Sequence, residues 1–190
     1  MEKELLELRM YFFVPYQLTG IQQAIQAGHA ALEYARKYKD DKEFIDFVDN
    51  WKTWIILNGG TTNSKRDFDA VSFGTLNQLA DQLSLGDGID PIKMTYFREP
   101  DLEDALTAVC FICDERVFNY EDYPDLFEFI IDNDFPPDTK AYHDAYKIKR
   151  TQTHEELKEI FPLIYSVWVN SLGGPQNVFL RELLKGKKLA

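Results

Sequence analysis

Apolar residues are arranged in two ways along this chain, as short continuous runs and as stripes at helical spacing. The run Leu8–Pro15 is apolar and aromatic and ends in a proline, which is typical of a buried strand. The stripe that follows begins after Thr19, a good N-cap, and continues to about Tyr38. The pattern therefore predicts a strand that leads directly into a helix.

Further runs and stripes of the same kinds continue this alternation along the chain. They predict an acidic helix at 40–51, a strand at 53–57 followed by a Gly-Gly turn, a helix that ends at Gly86, a strand that ends at Pro100, a strand from about Ala105 and a helix from about Tyr123. Strands that alternate with helices in this way indicate an α/β fold with a single mixed sheet.

Beyond residue 134 the pattern changes, because paired prolines introduce a stretch with little apolar periodicity. A helix interrupted at Pro162 and a short amphipathic helix with a basic end follow. We therefore predict an α/β ligand-binding core at 1–134 and, at 135–190, a linker with a helical C-terminal extension. The apolar side chains of this extension must be buried against another surface. We expect a partner subunit to provide it, which predicts a homo-oligomer, either a dimer or a tetramer.

Acidic residues outnumber basic ones, 32 to 21, which gives the 190-residue chain a formal net charge of −11. A surface of this sign argues against binding long nucleic acids, whose phosphates are bound by many lysines and arginines. The charge is also uneven: residues 99–134 carry twelve acids and one base, while residues 135–190 carry six acids and nine bases. The two regions are either complementary surfaces of neighbouring subunits or two separately solvated faces.

No apolar run approaches the length of about 20 residues that a membrane-spanning helix needs, so we expect no membrane partner. The chain opens with an acidic segment that lacks the basic start and apolar centre of a secretory signal. Cys110 and Cys113 form a C-x-x-C motif, which can be a redox motif or half of a metal site. The motif lies in an apolar run, so the alternative is that both cysteines are buried strand residues. These features together favour a reducing, cytoplasmic location.

The polar side of the first predicted helix is unusual, because it carries neutral side chains where Glu and Lys are common. Gln22, Gln26 and His29 are spaced at i, i+4 and i+7 and share one stripe. Such a stripe can bind base edges or ribose hydroxyls, and it can equally face solvent or a subunit. Thr19 lies at the helix N-terminus, where backbone amides favour an anion. Gly28 costs about 1 kcal/mol relative to alanine inside a helix, which indicates close approach of a backbone or a ligand.

Two further segments contribute candidate binding residues. The loop after the second strand has two glycines, which let the main chain approach a ligand, and short neutral side chains on both sides of them. Arg98 leaves one predicted strand, and Thr107 opens the next. The guanidinium of Arg98 either grips a phosphate or stacks on a base, or it forms an ion pair with Glu99 or Asp101. The complete predicted binding set is Thr19, Gln22, Gln26, His29, Asn58, Gly59, Gly60, Thr61, Thr62, Asn63, Arg98 and Thr107.

Established catalytic signatures are missing from the sequence, which has no P-loop, no G-x-S-x-G and no H-E-x-x-H motif. Acid pairs are abundant, but nothing singles one out for acid–base chemistry. The three histidines are widely spaced. We therefore predict no catalytic residue, no metal site and no cofactor.

The segment GIQQAIQAGHAALEY resembles the opening helix of the archaeal/eukaryotic-type peptidyl-tRNA hydrolases, whose pattern is G-K-x-A-A-Q-x-x-H-A. Matching places are occupied by Gly20, Ala24, Gln26, His29 and Ala30. The predicted order of elements over residues 8–120 is similar to that fold, although Ile21 or Gln22 replaces the family's lysine and its late A-G-x-T motif is absent. The resemblance implies a single mixed-sheet sandwich and, as one possible activity, hydrolysis of peptidyl-tRNA.

The combination of this helix with N-G-G-T and F-x-E-P-D-L-x-x-A-L-T-A is similar to a group of bacteriophage proteins on the same fold. Some proteins of this kind resemble the viral sponges that sequester cyclic oligonucleotide signals of bacterial anti-phage (CBASS-type) defence. That resemblance implies a noncatalytic oligomer that holds a cyclic dinucleotide or a related nucleotide. If the chain is viral, it implies a place in the host cell cytoplasm.

These observations leave three functional hypotheses. The leading one is noncatalytic sequestration of a cyclic nucleotide immune signal, which is held and not cleaved. The alternative is a divergent peptidyl-tRNA hydrolase, whose turnover would be lost on His29→Ala. The third is a structural or host-interaction protein, in which the polar stripe around Gln26 is an oligomer contact.

Overall fold

A computed structural model describes residues 5–63, 74–85, 90–134 and 152–190 of the chain. The chain divides into two compact units, one built from residues 1–115 and 183–190 and the other from residues 116–182. The linker that we predicted after residue 134 falls in 135–151, outside the described residues. The predicted boundary at that position therefore remains a prediction.

The first unit is built on a four-stranded mixed sheet with the strand order β2-β1-β4-β3. Its strands are β1 (Leu8–Pro15), β2 (Thr53–Gly60), β3 (Met94–Glu99) and β4 (Ala105–Asp114). Strand β1 pairs in parallel with β2 and antiparallel with β4, and β4 pairs antiparallel with β3. The central strands β1 and β4 are almost fully buried, as their continuous apolar runs predict. The predicted α/β class with a mixed sheet is thus confirmed.

Helix α1 (Gly20–Tyr38) packs on one face of the sheet, which we call the α1 face. Its buried residues Ala27, Ala30 and Tyr34 belong to one apolar cluster with alternate residues of the central strands. The strand residues of that cluster are Leu8, Met10, Phe12, Val14, Ala108, Cys110 and Ile112. The i, i+2 spacing of these residues follows from the alternation of side chains along a strand.

The acidic segment predicted as one helix at 40–51 forms two different elements. Helix α2 (Lys42–Asp46) begins after Asp41, whose side chain accepts hydrogen bonds from backbone N–H groups of its first turn. A π-helical turn (Phe47–Trp51) follows, and Lys52 N closes it with a hydrogen bond to Phe47 O. Lys52 itself has the left-handed backbone conformation, with a φ of 58°, so the chain turns sharply before β2.

Helix α3 (Thr75–Leu85) packs on the opposite face, which we call the α3 face. A Cβ added at Gly59 would lie 2.8 Å from Leu76 Cδ1 and 3.3 Å from Phe13 Cβ, so Phe13 and Leu76 lie on the same side of the sheet. Phe13 alternates with Phe12, which lies on the α1 face. Its apolar residues at helical spacing are buried: Leu76, Leu79, Ala80 and Leu83. The predicted helix stop, Gly86, lies outside the described residues.

Residues 188–190 pair with β2, the edge strand next to β1. Asn58 N donates to Lys188 O at 2.9 Å, Ala190 N donates to Ile56 O at 3.1 Å, and Leu57 and Leu189 form an antiparallel bridge. Strand β2 itself continues to Gly60, beyond the end that we predicted at residue 57. The Gly-Gly pair therefore belongs to the end of a strand and not to a free turn.

The second unit is helical in its described residues. Its helices are α4 (Glu115–Phe118), which begins at the last residue of the first unit, α5 (Leu126–Asp134), α6 (His154–Ile160), α7 (Pro162–Ser171) and α8 (Pro175–Leu184), whose end returns to the first unit. The interruption at Pro162 is confirmed, whereas α4 was not predicted and α5 starts later than predicted. Among the described helices, none has both the length and the apolarity needed to cross a membrane.

Arg181 anchors the second unit from the inside. Its side chain is fully buried, donates from Nε to Asp125 Oδ1 at 3.0 Å, and donates from Nη1 to Arg116 O at 2.9 Å. The guanidinium also lies 3.9 Å from the centre of the Tyr120 ring. A planar guanidinium is suited to such a site, because its fork of donors and its flat face are used together.

Candidate functional site

Gln26, the central residue of the predicted polar stripe, is buried on the α1 face. Gln26 Oε1 accepts a hydrogen bond from Thr107 Oγ1 at 2.6 Å, and Gln26 Nε2 donates to Glu99 Oε2 at 2.6 Å. The register between β3 and β4 shifts by one residue opposite Thr107, and such a bulge re-aims a side chain. Gln26 and Thr107 therefore use their polar groups inside the protein.

Thr19 and Gln22 form a capping box at the start of α1. Gln22 N donates to Thr19 Oγ1 at 3.4 Å, and Gln22 Oε1 accepts from Thr19 N at 3.0 Å. These reciprocal hydrogen bonds satisfy backbone N–H groups that a helix start leaves without intrahelical partners. The two residues thus stabilise the helix with the groups that we expected to meet a ligand.

His29 and Arg98 each lie against an aromatic ring of β3. The rings of His29 and Phe97 have centroids 4.4 Å apart, and His29 Nδ1 is buried without a hydrogen-bond partner among the described residues. Arg98 Nη1 donates to Asp104 O at 3.0 Å, and its guanidinium lies 5.7 Å from the centre of the Tyr96 ring. The guanidinium of Arg98 is therefore held by the turn that follows β3.

The Gly-Gly segment lies at the end of β2, beside the start of α3. Asn58 Oδ1 accepts from Gly60 N at 2.8 Å, and Gly60 has a φ of +83°. A Cβ at Gly60 would lie 2.0 Å from Thr75 Oγ1, which donates to Gly59 O at 3.0 Å. Both the backbone angle and the close approach of Thr75 require glycine at position 60.

Thr61, Thr62 and Asn63 continue from β2 and are held by α3 and β4. Leu76 N donates to Thr61 O at 2.9 Å, and Asn63 N donates to Asn77 Oδ1 at 3.2 Å. The hydroxyl of Thr62 donates to a backbone carbonyl oxygen of β4. These contacts fix the path of the chain between the sheet and α3.

The twelve predicted binding residues therefore do not converge on a single cradle. The α1 stripe and Thr107 belong to the α1 face, Arg98 is held by the turn after β3, and residues 58–60 border the α3 face. The sequence could not separate these sets, because both follow strands whose carboxyl ends lie side by side. The burial of Gln26 could not be predicted from the sequence either, because a glutamine within a helical pattern is usually exposed to solvent.

A pocket of about 390 Å³ opens on the α3 face next to residues 58–60. Its lining consists of Asn58, Gly59, Gly60, Thr75, Gln78, Leu79, Gln82 and Lys187. Its volume falls within the range of about 300 to 1,000 Å³ that is usual for small-molecule sites. Three of the twelve predicted residues thus border one pocket.

Neutral amides and one cation dominate the chemistry of this pocket. Asn58, Gln78 and Gln82 each carry an amide, a group with both a donor and an acceptor. Lys187 Nζ supplies a positive charge and lies 5.9 Å from the centre of the Phe13 ring. Among the described residues that line it there is no acid, so the pocket can form hydrogen bonds to a heterocycle or hydroxyl and also attract one anionic group.

Gln78, Gln82 and Lys187 were missed from the sequence. The two glutamines are spaced at i, i+4 on one helix, which is the signal that drew attention to Gln22 and Gln26. Lys187 had no comparable signal, because its place depends on the pairing of residues 188–190 with the edge strand.

The part of the chain that the structure describes contains no cluster of three or more His, Cys, Asp or Glu side chains that could hold a metal ion. No protein-family model matches the chain, and no curated protein or solved structure matches it either. The site must therefore be interpreted from its own geometry and chemistry.

Proposed function

We propose that this protein binds a small nucleotide, a cyclic dinucleotide or a close relative, in the pocket between β2 and α3. The observation that carries the proposal is the convergence of three amide side chains and one lysine beside a Gly-Gly strand end. Base edges and ribose hydroxyls require donors and acceptors together, which amides provide, and a phosphate requires a cation.

In this proposal each part of the pocket has a separate task. Gln78 and Gln82 hydrogen-bond the edge of a base from adjacent turns of α3. Gly59 and Gly60 let Leu76 and Thr75 pack closely against the strand end, which shapes the edge of the pocket. Lys187 meets one phosphate, which supplies local attraction in a chain whose net charge is −11. A nanomolar complex needs about 12 kcal/mol, which buried base contacts and several such hydrogen bonds can provide.

We also propose that the ligand is held and not cleaved, so that the protein acts by occupancy. A sponge of this kind lowers the free concentration of a second messenger, and the effector of CBASS-type anti-phage defence stays inactive. The support is the resemblance of GIQQAIQAGHAALEY, N-G-G-T and F-x-E-P-D-L-x-x-A-L-T-A to bacteriophage proteins with a peptidyl-tRNA hydrolase-like sandwich. A four-stranded mixed sheet with helices on both faces is compatible with that sandwich. A homo-oligomer in the host cytoplasm is part of the same proposal.

Calorimetric titration with 3′,3′-cyclic dinucleotides tests the proposal. Lys187→Met and Gln82→Leu should each weaken binding at least about tenfold, which corresponds to about 1.4 kcal/mol. Lys188→Met is the matched control, because it removes the same charge from the neighbouring residue outside the pocket lining and should bind like the unaltered protein.

The bound ligand should then be released by heat and identified by mass spectrometry. Recovery of the unaltered nucleotide is expected. A chemically altered product would overturn sequestration in favour of an enzyme. Failure of the folded protein to bind any nucleotide, or equal binding by the Lys187 and Lys188 variants, would overturn the assignment of this pocket.

A further inference from the structure

A second depression lies on the α1 face, across the sheet from the proposed nucleotide pocket. It is a groove of about 620 Å³ between α1, the α2–π segment and β2. Twelve described residues line it, among them Ile25, Gly28, Leu32, Lys52 and Trp54. Ten of the twelve are apolar or glycine, so the groove is chemically unlike the amide-rich pocket on the other face.

Large apolar side chains of this groove are exposed where a globular protein would normally cover them. Leu32 is 70% exposed, Ile25 is 50% exposed and Trp54 is 44% exposed. Covering such side chains with an apolar ligand is favourable, because it removes apolar surface from water. The groove therefore offers binding free energy to an apolar molecule.

Gly28 gives the groove its depth in the middle of α1. A Cβ built at Gly28 would meet no atom within 4 Å, so no neighbour in the described residues requires a glycine there. Glycine inside a helix is less favourable than alanine. A position that is unfavourable for the helix and open on its outer side is suited to contact with a bound molecule.

Lys52 places one positive charge in this apolar lining. It is the only charged residue among those that line the groove. Lys52 has a φ of 58°, in the left-handed region that residues other than Gly and Asn adopt at some cost in free energy. It directly follows the π-helical turn at Phe47–Trp51. His29 also borders the groove, and its ring packs against Phe97.

We propose that this groove is a second binding site, for a small amphipathic anion with an apolar chain and one carboxylate. The chain lies against Ile25, Leu32 and Trp54, and its methylene groups pass over Gly28. The carboxylate pairs with Lys52, so charge complementarity selects the anion over a neutral molecule of the same length. This site is separate from the proposed nucleotide pocket and does not depend on it.

Decanoate, below its micelle concentration, is the probe, and decanol is its uncharged match. Decanoate should bind the full chain in calorimetric titration. Lys52→Gln should weaken decanoate binding at least tenfold and leave decanol binding within about twofold. Lys42→Gln is the control, because it removes an exposed lysine of α2 that does not line the groove, and it should bind decanoate normally.

Gly28→Leu is the second variant, since it fills the groove from a position with free space and so leaves the fold intact. It should abolish decanoate binding while circular dichroism and the unfolding midpoint stay unchanged or improve. The proposal is overturned if decanoate does not bind, or if it binds the Gly28 variant as well as it binds the unaltered chain. It is also overturned if sedimentation shows a dimer that Gly28→Leu dissociates while decanoate has no effect, because a second copy of the chain then covers the groove.

Discussion

Gln26 and Thr107, on α1 and β4, are joined by a hydrogen bond of 2.6 Å in which the threonine hydroxyl donates to the amide oxygen. The other end of the same amide donates to Glu99 at 2.6 Å. Helix α1 is thereby attached to both β3 and β4 through one side chain. A residue that the sequence presents as a ligand contact thus positions the helix on the sheet.

Thr107→Val should destabilise the fold by about 1 to 3 kcal/mol, because it leaves Gln26 Oε1 buried without its donor. Gln26→Leu should have a similar effect, and the double variant should lose less than the sum of the two. Urea unfolding of all four proteins measures this coupling. Strictly additive losses would show that the hydrogen bond does not contribute, and nucleotide binding should be the same in all variants that remain folded.

Alanine at two glycines should have opposite effects. Gly28→Ala should stabilise the protein by up to about 1 kcal/mol, because the added methyl group enters free space and improves helix propensity. Gly60→Ala should destabilise it by at least about 1 to 2 kcal/mol, because position 60 has a φ of +83° and the methyl group would lie 2.0 Å from Thr75 Oγ1. Thermal unfolding compares the two variants. A destabilised Gly28 variant would contradict the open space described at that position.

Lys93 should give the protein part of its pH dependence through Asp41, to which its Nζ donates at 2.7 Å. Burial works against ionisation of Asp41, but hydrogen bonds from Lys93 and from the backbone of Phe44 outweigh it and hold the pKa below its ordinary value of 3.8. The resulting stability is fully present above pH 3.8 and is lost as the pH falls through the lower, folded-state pKa. Burial also works against ionisation of Glu43, and there it outweighs the attraction of Lys93, so the pKa of Glu43 is raised.

Lys93→Met should therefore lower stability more at about pH 7 than at about pH 3. It removes the partner of ionised Asp41, and it leaves Glu43 without a nearby cation, so the pKa of Glu43 rises further. Urea midpoints at the two pH values measure the difference. Lys42→Met, on the exposed side of α2, should change both midpoints little. Equal losses at both pH values in the Lys93 variant would contradict this assignment.

The thiols of Cys110 and Cys113 should not react with iodoacetamide in the folded protein. Both lie in β4, and burial raises the pKa of Cys110 to about 12 and raises the pKa of Cys113 as well. Their side chains point to opposite faces of the strand, since they are three residues apart, and so they cannot form a disulfide with each other. Alkylation followed by mass spectrometry should find no adduct in buffer and two in urea. Rapid native alkylation would restore the redox interpretation of C-x-x-C.

The parts of the fold that local rules control could be predicted from the sequence. Strand β1 and helix α1 have the predicted limits, because a proline, an N-cap threonine and a helical stripe mark them independently. The π-helical turn could not be predicted, since it and an α-helix share the same apolar pattern over so few residues. The same holds for α4, a single helical turn that carries no periodic signal.

The candidate site was less predictable than the fold, for a different reason. Polarity in the sequence identifies groups able to form hydrogen bonds, but it does not show whether the protein itself uses them. Gln26 and Gln82 have the same side chain and the same helical spacing to a second glutamine. One is buried against β4 and the other borders a pocket. Only the packing of each helix on its own face of the sheet distinguishes them.

The pairing of residues 188–190 with β2 makes the second unit an insertion within the first, because the chain leaves the sheet after β4 and later returns to its edge. The entropic cost of closing a loop grows only slowly with its length, so an insertion of this size is compatible with the pairing of Leu57 and Leu189. Since Lys187 immediately precedes that pairing, any change that detaches residues 188–190 from β2 would also displace the positive charge of the proposed nucleotide pocket.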